Sequence, residues 1–228
     1  MMKNIFVIVP VYNESKVVIK VIKELQKKFK NIVCVDDCST DDSFFKLKKL
    51  KRITLIKHII NQGQGAALQT GINFAKLNKA DLFVTFDSDG QHSATEAAAM
   101  IKKINSMNVD IILGSRFKEK SFQLEIPVFR RIILKIAIII SNLFSGLRLT
   151  DTHNGLRVFN RRFSNTLNIK MNGMSHPNEF LDNIKKNNLK YLEYPTKIKY
   201  NNYTIKKGQK NINSLNILFD IMINKIIK

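Results

Sequence analysis

The sequence predicts an α/β protein built on a mainly parallel sheet, and three observations carry that prediction. Apolar β-branched runs alternate with stretches of helical periodicity through the first half of the chain. The first run, residues 5–9, is continuously apolar, as in a parallel strand covered on both faces. Polar clusters follow the runs, where the carboxyl ends of parallel strands would gather them. Strand–helix alternation of this kind implies right-handed crossovers and three layers, α/β/α. The 228 residues are read as a single domain, 1–228.

The elements follow in order. Residues 5–9 form the first strand, stopped by Pro10. Asn13-Glu14-Ser15 opens a helix in which Val17, Val18, Val21, Ile22 and Leu25 recur at helical spacing. Residues 31–35 form the second strand. Asp36-Asp37-Cys38-Ser39-Thr40-Asp41-Asp42 is a turn and cap cluster before a helix over 43–50. A third strand spans 53–57, a glycine-containing loop 61–65, and a helix 66–77. The fourth strand, 82–86, runs into Asp87-Ser88-Asp89-Gly90-Gln91-His92. A helix over 95–105 and a strand over 110–114 follow. Beyond them, 129–147 reads as a basic-then-apolar helix and 151–159 as a polar segment entering a short strand. Residues 189–200 read as strand around Pro195, 203–210 as a basic loop, and 211–228 as an amphipathic C-terminal helix.

The net charge of +20 calls for an anionic partner: nucleic acid, an acidic membrane face or phosphorylated substrates. A composition heavy in Lys, Asn and Ile assigns part of that charge to solvated surface. No nucleic-acid motif is recognised and no basic–aromatic interleaving offers a stacking platform, so specific nucleic-acid binding is excluded. Cys34 and Cys38 lack zinc-ligand spacing and read as free thiols of a reducing compartment. No stretch reaches the ~18–20 apolar residues that span a bilayer. The longest apolar run, 132–147, is interrupted by Lys135, Ser141 and Asn142. It follows Arg130-Arg131, a pattern that suits either a helix in the membrane interface or one in the core.

Asp87 and Asp89 lie two apart after a buried strand, so both carboxylates share one face. Adjacent carboxylates repel unless a cation intervenes, and hard oxygens suit magnesium or manganese. Gln91 can add an oxygen or orient a metal-bound water. Asp36 and Asp37 sit where a carboxylate can accept from a base N–H or a ribose hydroxyl, or else cap a helix. Asn61 to Ala66 resembles a phosphate-cradling loop ahead of a helix. Arg116, Arg130, Arg131, Arg157, Lys206, Lys207 and Lys210 are candidates to pair with phosphates. His92 adjoins the acidic motif but is not counted as a ligand.

Five motifs in order carry a family resemblance: Val9-Pro10-Val11-Tyr12-Asn13-Glu14, Val35 through Asp41, Asn61-Gln62-Gly63-Gln64-Gly65, Phe86 through His92, and Gly114-Ser115-Arg116-Phe117. Over about residues 4–160 they resemble the family 2 glycosyltransferases, in the branch of dolichyl- and polyprenyl-phosphate sugar synthases. Asp151 through Arg157, Met174 through Glu179, and the Tyr203 to Gln209 region resemble short bacterial members without C-terminal transmembrane helices.

The resemblance implies a GT-A fold, a Rossmann-like sandwich, and an inverting transfer from a UDP- or GDP-sugar. Pro10, Tyr12 and Glu14 would line the nucleotide pocket and Asp36 would contact base or ribose. Asp37, Gly65 and Ser88, inside the same motifs, join the nucleotide-sugar contacts. Asp87, Asp89 and Gln91 would carry Mg2+ or Mn2+ and the donor diphosphate. Arg116 and Arg131 would receive an acceptor phosphate, and Lys207 would close over the donor. The acceptor is polyprenyl phosphate or a related lipid-linked molecule, or alternatively a sugar hydroxyl in glycan assembly. A hydroxyl would need a base, for which Glu179 or Asp151 is the choice. The expected setting is cytoplasmic, peripheral on the inner membrane face, with the helix at 129–147 in the interface. The C-terminal helix would dock a small membrane protein or a second copy.

Overall fold

A computed structural model describes residues 3–171 and 176–200. The basic loop with Lys206, Lys207 and Lys210, the helix over 211–228, and Met174 and Ser175 lie outside the described residues. In chain order the elements are β1 (Ile5–Val11), α1 (Val18–Gln26), β2 (Asn31–Asp36), α2 (Ser43–Lys48), β3 (Thr54–Lys57), α3 (Gln64–Leu77), β4 (Leu82–Thr85) and α4 (Ala94–Ser106). They continue with β5 (Ile111–Ser115), α5 (Lys120–Leu124), α6 (Val128–Ser145), β6 (Arg157–Asn160), α7 (Arg161–Thr166), α8 (His176–Lys186) and β7 (Tyr191–Pro195).

The strands form one sheet in the order β3-β2-β1-β4-β6-β5-β7. Every pairing is parallel except those of β6, which runs antiparallel between β4 and β5. Side chains alternate across the sheet and build two cores. Phe6, Ile8, Phe83 and Leu113 pack with Leu68 and Ile72 of α3, Phe163 of α7 and Phe180 of α8. Val7, Val9, Val84 and Ile112 pack with Val18 and Ile22 of α1, Leu47 of α2 and Met100 and Ile104 of α4. The three-layer architecture is therefore present, with helices on both faces.

The order 3-2-1-4 means that the chain winds one way from β1 to β2 and β3, then crosses back to β4. A crevice opens at such a reversal, beyond the carboxyl ends of the two strands. It falls between Tyr12 after β1 and Asp87 after β4. A hollow of about 400 Å³ lined by Lys3, Leu82, Asn105, Met107 and Asn160 lies at the opposite end of β4.

Several boundaries differ from expectation. Pro10 does not stop β1: it stays in register with Val35, and its carbonyl accepts the Ser88 hydroxyl at 2.8 Å. One missing N–H does not end a strand held by neighbours on both sides. Helix α1 begins at Val18 instead of beside Asn13, because the Glu14 carbonyl first closes a turn with the N–H groups of Val17 and Val18. Helices α5, α7 and α8 were not foreseen. Helix α8 carries Pro177 in its first turn, where the missing N–H costs nothing.

Candidate active site

The loops at the switch point are braced by the polar cluster after β2. Ser39 Oγ accepts the Asn13 N–H, Ser43 Oγ the Glu14 N–H and Asp41 the Ser15 N–H, at 2.7–3.0 Å. Asn13 has φ 55°, a left-handed conformation Asn tolerates, and its side-chain oxygen accepts the Thr40 N–H at 2.8 Å. Tyr12 is thereby presented outward, 44% exposed, above buried Asp36. The Asp36 Oδ2 accepts the Ser39 N–H at 3.1 Å. Its Oδ1 is buried with no hydrogen-bond partner among the described residues. A base N–H or ribose hydroxyl would satisfy that oxygen.

Asp87 and Asp89 follow β4 and flank Ser88, whose hydroxyl ties this turn to β1. Both oxygens of Asp87 carry side-chain donors: Gln64 Nε2 at 2.9 Å on Oδ1 and His92 Nε2 at 3.1 Å on Oδ2. Asp89 Oδ1 accepts the Gln91 N–H at 2.9 Å across Gly90, which has φ 79°. Burial pushes the Asp87 carboxyl up, but the His92 hydrogen bond and charge, with Arg157 and His176, outweigh it and hold it low. Burial first, and then the Asp87 charge, push Asp89 up to about 6. Burial and the neighbouring carboxylate thus disfavour the Asp89 anion, a cost that a divalent cation would relieve. Each oxygen keeps a lone pair, so the residues fit a hard cation. Among the described residues no group of three or more His, Cys, Asp or Glu gathers to hold one. Water and donor diphosphate would complete its shell.

Gly155 is what allows this arrangement: a Cβ there would overlap the Asp87 carboxylate. Behind it, Arg157 of β6 sits opposite Thr85, 2% exposed, with its guanidinium 4.4 Å over the Phe180 ring. Burial lowers Arg157 to about 10, with Asp87 and Asp151 opposing. It is the buried cation nearest in role to a counterion for Asp87. Sequence reading placed it only among the candidate phosphate ligands.

Other residues are engaged in ways the sequence did not foresee. Arg116 is buried and bidentate to Asp151, Nε to Oδ2 at 2.6 Å and Nη2 to Oδ1 at 2.8 Å, so much of its fork is spent inside the protein. Burial pushes the Asp151 carboxyl up, but the Arg116 charge and hydrogen bonds outweigh it and hold it low, committed to that ion pair. Glu179 accepts the N–H groups of Lys170 and Met171 at 2.9–3.1 Å, which makes it a chain brace. Arg131 reaches the Gln123 carbonyl at 3.4 Å. Its neighbour Arg130 turns to the site instead, 5.5 Å from the Tyr200 ring and within electrostatic reach of Asp89 and Arg116.

Two corrections concern the loop before α3. Its amides do not cradle a phosphate. The Gln62 and Gly63 N–H groups donate to Asp37 at 2.9 and 2.6 Å, so the Asp37 carboxylate is engaged within the chain. Gly65 is a packing glycine, since a Cβ would collide with the Met171 carbonyl.

Comparison with known proteins agrees with this architecture. The solved structure of glucosyl-3-phosphoglycerate synthase from Mycobacterium tuberculosis, bound to Mn2+, UDP and phosphoglyceric acid, superposes with a TM-score of 0.66. It covers 96% of this chain and 78% of that one at 13% identity, a likeness of fold. An uncharacterized protein of Methanocaldococcus jannaschii is 35% identical over 226 residues, covering 98% of this chain and 93% of its own. The UDP-N-acetylglucosamine–dolichyl-phosphate N-acetylglucosaminyltransferase of Methanococcus voltae is 30% identical over 245 residues, covering 99% and 98%. The family model described as glycosyl transferase family 2 matches residues 6–168, which span the switch-point crevice, the acidic pair and Arg157. By fold, by site and by descent, the chain belongs to glycosyl transferase family 2.

Proposed function

We propose that this protein is a metal-dependent inverting glycosyltransferase moving a sugar from a nucleotide sugar, a UDP-sugar in first place, to polyprenyl phosphate. The observation that carries this is the acidic pair at the topological switch point, with Asp36 Oδ1 unsatisfied at the next strand end. The nearly full-length relative from Methanococcus voltae, a UDP-sugar and dolichyl-phosphate enzyme by its name, supports both substrates.

A divalent cation on Asp87 and Asp89 would supply Lewis-acid assistance to the departing diphosphate. Gln64 and His92 orient Asp87 for that task. Asp36 anchors the nucleoside, and Arg130 offers the acceptor phosphate a cation near the reacting centre. A phosphate oxygen attacks the anomeric carbon, the bond to the diphosphate breaks, and the nucleoside diphosphate leaves with the electron pair. An ionised phosphate needs no general base. That agrees with both carboxylates chosen as bases, Asp151 and Glu179, being engaged.

Helix α6 brings the protein to its acceptor. Val128, Phe129, Ile132, Ile136, Ile139 and Leu143 form an exposed stripe, 45–79% accessible, with Arg130, Arg131 and Lys135 on the same helix. Among the described residues no helix is long and apolar enough to cross a membrane. The stripe and the charge of +20 suit an anionic lipid surface.

The test is a donor screen with Mn2+ or Mg2+ and UDP- and GDP-sugars, with and without a polyprenyl phosphate. Lipid-linked product from one donor, lost in Asp89→Ala, is the expected result. Metal-dependent donor binding with product only on a sugar hydroxyl would replace the acceptor. No nucleotide-sugar binding with either metal would overturn the reading.

A further inference from the structure

We propose that Asp37 and His58 are a positioning pair that fixes the loop ahead of α3, so that Gln64 holds the Asp87 carboxylate in the orientation that accepts the cation. The inference rests on Asp87 and Asp89 being the donor–metal site.

Asp37 is 2% exposed and accepts three N–H donors: His58 Nδ1 at 2.7 Å, Gln62 N at 2.9 Å and Gly63 N at 2.6 Å. A carboxylate only accepts, so Nδ1 carries the proton. The two amides lie immediately ahead of α3, on its N-cap Gly63 and on the residue before it, so Asp37 pins the chain where it enters the helix. His58 is itself held twice. Its N–H donates to the Asp36 carbonyl at 2.9 Å, and its Nε2 meets Thr70 Oγ1, in the second turn of α3, at 2.9 Å. Asn61 adds a bond from Nδ2 to the Asp37 carbonyl at 3.2 Å.

The first residue beyond this clamp is Gln64. Its side chain reaches Asp87 Oδ1, while Gly65 lies against the Met171 carbonyl with no room to shift that way. A continuous path thus runs from the ends of β2 and β3, through Asp37, His58 and Gly63, to one oxygen of Asp87. His92 fixes the other oxygen. Two donors on two oxygens set the plane of the carboxylate, and the plane decides where its remaining lone pairs point. Partners behind a ligand typically change metal affinity or activity by about 10–100-fold.

The experiment measures binding of Mn2+ with UDP to the full chain by calorimetry, alongside melting temperature. The set is Asp37→Asn, Gln64→Ala and the double variant. Each single change is expected to weaken Mn2+–UDP binding by about tenfold or more. The double is expected to be no weaker than the worse single within about threefold, because both act through one contact. If the pair served stability alone, Asp37→Asn would lower the melting temperature and bind as wild type, or the two losses would multiply; either result overturns the proposal. Should Asp37→Asn not fold, His58→Gln replaces it in the cycle, and His58→Asn, which can keep the donor to Asp37, is expected to restore binding. Wild-type protein that binds neither UDP nor GDP with Mn2+ or Mg2+ overturns the proposed function as well. Wild-type binding with multiplying losses overturns this inference alone.

Discussion

Asp89 is the residue on which the proposed chemistry turns, and its environment makes its titration informative. Burial and Asp87 raise it from 3.8 to about 6 in the folded protein. A raised carboxyl favours the fold fully below about pH 4, and that contribution is lost as pH rises through about 6. A cation reverses the preference, since it displaces the proton. Mn2+ affinity is therefore expected to fall about tenfold per pH unit below about 6 and to level off above it. A titration flat across that range would contradict the assignment. At the same scale, Gly155→Ala is expected to drive the Asp87 carboxylate aside and cost about 1–3 kcal/mol of stability together with metal binding. Arg116→Met leaves Asp151 buried without its partner and is expected to cost about 3–5 kcal/mol, read as a fall in melting temperature. The acidic motif was legible in sequence because strand periodicity places two carboxylates on one face. The partners of Asp87 were not, since Gln64 comes from α3 and Gly155 and Arg157 from the entry to β6, both distant in the chain, while His92, though only five residues on, gave no sign of turning back to it.

At the scale of elements, α6 joins the catalytic domain to its proposed surface. It ends at Gly146, φ 67°, a left-handed stop that only glycine adopts freely. One side of the helix buries Ala137, Ile138 and Ser141, and the other exposes the apolar stripe. Sequence periodicity left interface and core equally open, and the structure divides the helix between the two. Ile139→Asp with Leu143→Asp is expected to abolish sedimentation with anionic vesicles while Mn2+–UDP binding stays at wild-type strength. Persistent sedimentation of the double variant would assign the stripe to another partner. The short strand expected at the end of 151–159 is β6, but its antiparallel direction, and helices α7 and α8, escaped sequence reading. Their residues are short in run and mixed in polarity, and their faces are set by contacts with β4, β5 and α3.

For the whole molecule, the charge of +20 and the stripe act together, so vesicle binding is expected to weaken steeply as salt rises. Retention at high salt would point to apolar insertion as the dominant force. By itself, the sequence determined the α/β class, the parallel β1 to β5 framework and the acidic pair. These depend on residues close in the chain, whose periodicity records which faces are covered. Only the tertiary structure decided that β6 runs antiparallel, that Asp37 accepts the amides ahead of α3, that Arg116 pairs with Asp151, and that Arg130 comes within electrostatic reach of Asp89. Each of those outcomes is a pairing between segments tens of residues apart. A buried charge or donor must find a partner, and which one it finds depends on how the layers pack, a quantity no local pattern encodes.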